Sequence, residues 1–112
     1  MDTLNRYRAI LEELLQEYAS LRKSATPDIK TQLVTDTVHD HYQLLAIGWH
    51  NNRFVYNVML HFDLIDRQIW IQQNNTDVLI ADELIQRGVD PDDIVLGFIS
   101  EQARQYSKLH RA

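Results

Sequence analysis

From Asp2 to about Leu21 the apolar residues Leu4, Tyr7, Leu11, Leu14, Leu15, Tyr18 and Leu21 recur at steps of three and four, with Arg6, Glu12, Glu13 and Glu17 between them. That period draws one apolar stripe along an α-helix, for which Asp2 or Thr3 is the N-cap. About three heptads fit, fewer than a coiled coil needs, so the stripe is expected to pack on a sheet. "RKSATPD", Arg22 to Asp28, ends the helix as a linker.

The period then changes to two. Ile29 to Val38, His41 to Trp49, Arg53 to Ile65 and Gln68 to Gln73 read as strands. Their breaks, His39-Asp40, Asn51-Asn52 and Asp66-Arg67, have the length of two-residue hairpins, which makes the sheet an antiparallel meander. Pairing through those breaks places Val34, Leu45, Ile47, Trp49, Phe54, Tyr56, Val58, Leu60, Phe62, Leu64, Ile69 and Ile71 on one face, which is expected to receive the helices.

"NNTDVLIADELIQRG" predicts a second helix with Thr76 as cap, Leu79, Ile80, Leu84 and Ala81 toward the sheet, and Gly88 as its stop. "DPDD" at Asp90 to Asp93 predicts a capped turn opening with Pro91, "IVLGFIS" a short buried strand, and "EQARQYSKLHRA" a final short helix. The fold class is therefore α+β: a mostly antiparallel β-meander with an N-terminal helix and a second helix packed on one face, one domain over residues 1–112.

Composition narrows the functions open to such a fold. With 112 residues, 45% of them apolar, the chain has room for one modest core and no separate substrate domain. Eleven basic against 16 acidic side chains give a formal charge of −5, which disfavours nucleic acid and anionic membrane as direct partners. The absence of cysteine removes disulfides, thiolate metal sites and thiol nucleophiles. Apolar runs are too short to span a bilayer and "MDTLNRYRAI" lacks the order of a signal peptide, so a cytoplasmic location is expected.

His61 and Asp63 alternate onto the same side of their strand and could form a His–carboxylate pair. No serine, cysteine or glycine-rich phosphate loop accompanies them, and no catalytic residue is assigned. A metal reading would add His39 and His41, but unbroken pairing puts His41 on the opposite face from His61, so neither metal nor cofactor is expected. The acidic turn with Glu101 lacks the lysine of a magnesium-dependent nuclease. Arg104, Lys108, His110 and Arg111 make a small basic tail, too little to predict a direct duplex contact.

The remaining face would carry Leu33, Tyr42, Leu44, Ala46, Val55, Met59 and Trp70 beside His61, Asp63 and Gln72. It is too apolar for a freely solvated surface, and either the final segment or another chain must cover it. Aromatic and methionine side chains beside hydrogen-bonding groups have the make-up of a protein interface. Tyr42, Met59, His61, Asp63, Trp70 and Gln72 are the interface candidates.

The N-terminal "LNRYRAILEELLQEYA", Gly48-Trp49, the His61-x-Asp63 strand, "IWIQ" at Ile69 to Gln72, Thr76, and "DIVLGF" at Asp93 to Phe98 together resemble the XisI family of cyanobacteria, named for control of fdxN element excision. The resemblance covers nearly the whole chain. It implies an accessory or controlling factor, not a recombinase, associated with an XisH-like protein, and it carries no catalytic residues. Self-association is the other binding mode the open face allows. The alternatives are a small metal-dependent hydrolase or nuclease built on His61 and Asp63, and an accessory protein that binds DNA directly. Two departures stand out: Asp66-Arg67 occupies a hairpin expected as Asp-Gly, and the ending "SKLHRA" differs from the family's small and aromatic tail.

Overall fold

The structure, a computed structural model, describes residues 2–25 and 28–105. It opens with helix α1 (Thr3–Ala25), followed by strands β1 (Ile29–Asp36), β2 (His41–His50), β3 (Arg53–Ile65) and β4 (Gln68–Asn74). A short helix α2 (Ile80–Gln86), a 3-10 turn (Pro91–Asp93) and strand β5 (Ile94–Leu96) follow. The five strands lie in chain order, β1 to β4 antiparallel and β5 parallel to β4. This is the expected α+β architecture. Among the described residues no helix is long and apolar enough to cross a membrane.

Asp2 caps α1, its Oδ1 accepting from the Leu4 amide at 3.1 Å. The helix continues through Ala25, past the linker expected from Arg22, so it runs one turn longer than its apolar stripe. Its buried residues Tyr7, Leu11, Leu14 and Leu15 lie on one side of the helix, as their spacing requires. They join Tyr42, Leu44 and Ala46 of β2, Leu60, Phe62 and Leu64 of β3, Ile69 and Ile71 of β4, Ile80 and Leu84 of α2, Val89 and Ile94 in one core cluster.

That list overturns the face assignment. Leu45, Ile47, Trp49, Phe54, Tyr56 and Val58 were expected beneath the helices with Leu60, Phe62 and Leu64. The Asn51-Asn52 hairpin does pair Trp49 with Phe54, Ile47 with Tyr56 and Leu45 with Val58. Leu44 then pairs with Leu60, leaving Met59 as the extra residue of a β-bulge. One inserted residue reverses the side on which every later side chain of β3 projects relative to β2. The helices therefore cover the even positions of β2 together with the inner half of β3, and the outer half of β3 faces away.

Two of the three tight hairpins form as expected. Asn51, Asn52, Asp66 and Arg67 all have positive φ, the arrangement of type I′ turns. Arg67, where a glycine suits the backbone, holds φ at 66° regardless. The break at His39-Asp40 is instead a four-residue turn spanning 37–40. Asp36 closes it by accepting from the Val38 and His39 amides, both at 3.0 Å.

The second helix begins later than Thr76 suggests. Asn74 Oδ1 accepts from the Thr76 amide and hydroxyl, and Thr76 Oγ1 accepts from the Val78 amide, so these polar groups build a turn before α2. Leu79, expected against the sheet, is exposed, while Ile80 and Leu84 are buried. Gly88 ends the helix at φ +105°, and Asp90 caps the 3-10 turn with Pro91 in its first position. Gly48 permits the start of β1 to close on β2: a Cβ there would stand 2.5 Å from the Asp28 carbonyl oxygen.

Polar contacts fasten α1 to three other elements. Arg8 donates two hydrogen bonds to Asp40, at 2.8 and 3.0 Å, and Asp40 also accepts from Tyr42 Oη at 2.9 Å. The Arg8 hydrogen bond holds the Asp40 carboxyl below its usual range, while burial pushes the Tyr42 hydroxyl well up. Tyr7 Oη donates to Asp93 at 2.6 Å and accepts from the Asp90 amide at 3.2 Å. Arg87, beyond α2, donates to Glu17 of α1 and to Glu83.

Candidate functional site

The sheet face away from the helices contains three neighbourhoods. At one end of β2, His41 pairs across the strands with Asp63, and Gln43 with His61. The bulge makes this possible, because it returns the odd positions of inner β3 to the side occupied by the odd positions of β2. His41 Nδ1 lies 2.8 Å from Asp63 Oδ1, and His61 Nε2 lies 2.9 Å from the same oxygen. Gln72 Nε2 donates to Asp63 Oδ2 at 3.1 Å, and the Gln43 amide meets His61 Nδ1 at 3.2 Å.

Exposure falls across this cluster, the side chains of His41, His61 and Asp63 being 57%, 25% and 13% accessible. Burial would raise the Asp63 carboxyl, but hydrogen bonds from His41, His61 and Gln72 outweigh it and hold the group below its ordinary value. The Asp63 hydrogen bond, against some desolvation, raises His41. One ring nitrogen from each histidine and a carboxylate oxygen of Asp63 all lie within 4.8 Å of one another. The expected separation of His41 from His61 is therefore wrong, for the same reason as the face assignment.

The second neighbourhood lies at the far end of the β2–β3 hairpin. Trp49 and Phe54 pack at 5.2 Å between ring centroids, and Phe54 and Tyr56 at 6.4 Å. All three remain open to solvent, at 63%, 55% and 61%. β4 pairs with β3 only from Leu60 to Ile65, so the stretch 53–57 has β2 on one side and, among the described residues, no strand on the other.

The third is Trp70, where the final segment crosses the sheet. Gly97 packs so closely that a Cβ would stand 3.2 Å from the indole, and the Arg104 guanidinium lies 5.2 Å from the ring centroid. The described part of that segment, with a helical turn at 101–105, thus shields this end of the face. Lys108, His110 and Arg111 of the basic tail lie outside the described residues.

Of the six interface candidates, His61, Asp63, Trp70 and Gln72 are on this face and adjoin one another. Tyr42 and Met59 are buried in the core cluster. Tyr42 belongs to the even set of β2 beneath α1, and Met59 is the bulge residue, so neither offers surface to a partner. The alternation assigns Trp49, Phe54 and Tyr56 to the covered side and misses them as surface. One signal was available. His41 and Gln43 are the polar positions at the start of β2, as His61 and Asp63 are near the end of β3. Unbroken pairing opposes these polar residues to apolar ones, and a single inserted residue matches polar with polar.

The model of the XisI protein family matches residues 1–110. The chain belongs to the XisI family. A crystal structure of a XisI-like protein from Anabaena variabilis ATCC 29413 is 41% identical and superposes with a TM-score of 0.85, over 92% of this chain and 94% of that one. The crystal structure of the fdxN element excision controlling factor XisI from the same organism is 32% identical, with a TM-score of 0.79 over 92% and 99% of the two chains. No curated protein sequence matches. The XisI resemblance of the sequence motifs is thus borne out over almost the full length.

Proposed function

We propose that this chain is a non-enzymatic accessory factor in the control of site-specific DNA excision, and that it acts by docking on an XisH-like protein through the outer end of its open sheet face. The excision role is carried over from the solved relative described as an fdxN element excision controlling factor. The docking role rests on one observation: Trp49, Phe54 and Tyr56 form a contiguous aromatic surface left uncovered by every described element. Burying an aromatic side chain of this size is worth about 1.5–3 kcal/mol, and aromatic clusters of this kind dominate binding where a partner excludes water from them. The side of the stretch 53–57 that no described strand pairs adds main-chain donors and acceptors beside the same rings, a template for strand addition.

The test is co-expression with an XisH-like protein, with absolute mass measured by light scattering after size exclusion. A stoichiometric complex is expected, and Tyr56→Glu is expected to abolish it while leaving the circular dichroism spectrum and melting unchanged. Separate elution of the wild-type chains would remove the XisH-like partner, and a dimer mass for the chain alone would assign the face to a second copy.

A further inference from the structure

The geometry points to a binding site for a divalent first-row transition ion, of the zinc class, formed by His41, His61 and Asp63. Its donors come from two adjacent strands whose relative register is set by the Met59 bulge, a device often found beside functional sites. Both imidazoles aim a nitrogen at one oxygen, Asp63 Oδ1, at 2.8 and 2.9 Å. Two imidazoles with one carboxylate suit zinc, iron, cobalt or nickel, whereas magnesium and calcium take oxygen ligands. Three protein ligands leave at least one coordination position open, and the exposure of His41 turns it outward.

The surrounding amides are arranged as an outer shell. Gln72 holds Asp63 by Oδ2, leaving Oδ1 for an ion. An ion on His61 Nε2 requires the ring proton on Nδ1, where the Gln43 amide already stands at 3.2 Å. Turning that amide by half a rotation presents Oε1 as the acceptor, which fixes the metal-binding tautomer. Without an ion, the same groups close on one another as a hydrogen-bonded cluster, each histidine donating to Asp63. Binding thus moves each ring proton to the nitrogen facing away from Asp63, puts one cation where the two N–H groups pointed, and needs no rearrangement of the strands.

This inference is independent of the docking proposal, since His41 and Trp49 are eight residues apart on β2, about 26 Å along an extended strand. It is tested by isothermal titration of zinc chloride into the purified full-length chain after chelator treatment. One equivalent is expected to bind. His61→Ala and Asp63→Asn should each weaken binding tenfold or more. His41→Ala should do the same, and it alters the most exposed ligand, so it keeps the result interpretable if either inner variant fails to fold. His39→Ala and His50→Ala should bind as the wild type does. Absence of binding, or binding that survives in His41→Ala and His61→Ala, would overturn the site; loss confined to His39→Ala would assign the ion to the exposed His39–Asp36 pair instead.

Discussion

The two halves of β3 share one pattern and meet opposite fates. In the outer half, Phe54, Tyr56 and Val58 are the even, apolar positions, and they face away from the helices; in the inner half, Leu60, Phe62 and Leu64 continue the same even series and are buried beneath them. Alternation along a strand therefore specifies which residues are neighbours on a face, but not which face a distant part of the strand presents once a bulge intervenes. The inner half gains the core, and the outer half keeps its aromatic rings in water.

The same substitution in each half gives the largest contrast. Phe62→Ala empties a fully buried site and is expected to cost about 3–5 kcal/mol, read as a lower urea midpoint at unchanged slope. Phe54→Ala should stay within about 0.5 kcal/mol. Equal losses would show that the hairpin's outer end belongs to the core.

A smaller effect separates the covered face by pH. Asp40, joined to Arg8 and Tyr42 at the edge of the inner half, has its carboxyl lowered in the folded state. A lowered folded value gives stability that is present above the unfolded value, about 3.9, and lost as pH falls through the folded one. Thermal melts between neutral pH and pH 2 should therefore show an acid decline that becomes shallower in Asp40→Asn.

The smallest contrast concerns the two turns that bound β3. Arg67→Gly relieves a side chain from a left-handed conformation that costs about 1–2 kcal/mol, and it should raise the melting temperature. Asn52→Gly should gain less than half as much, because asparagine tolerates that conformation. A gain at Asn52 equal to that at Arg67 would show that the strain is not specific to arginine.

Much of this architecture is legible from residues alone. The stripe of α1, the Asn51-Asn52 and Asp66-Arg67 hairpins, the Asp90-Pro91 turn and the bounds of β3 follow from local chemistry, which acts within a few positions. The bulge does not, because the even positions of β3 are apolar on both sides of Met59 and nothing local marks the insertion. It becomes visible only when β2 and β3 are compared as partners and their polar positions are made to meet. The candidate site was half legible for that reason: His61, Asp63, Trp70 and Gln72 are grouped by their own strands, whereas His41 and Gln43 depend on the cross-strand register. Thr76 misled for a different reason, its hydroxyl serving a turn instead of the helix.

The single hydroxyl of Tyr7 ties the first turns of the chain to Asp90 and Asp93. The groups that complete the polar contacts of α1 therefore lie 83 and 86 residues away along the sequence. A contact across so long a separation closes a large loop, so the Tyr7 clasp is a long-range element that depends on the rest of the fold being in place.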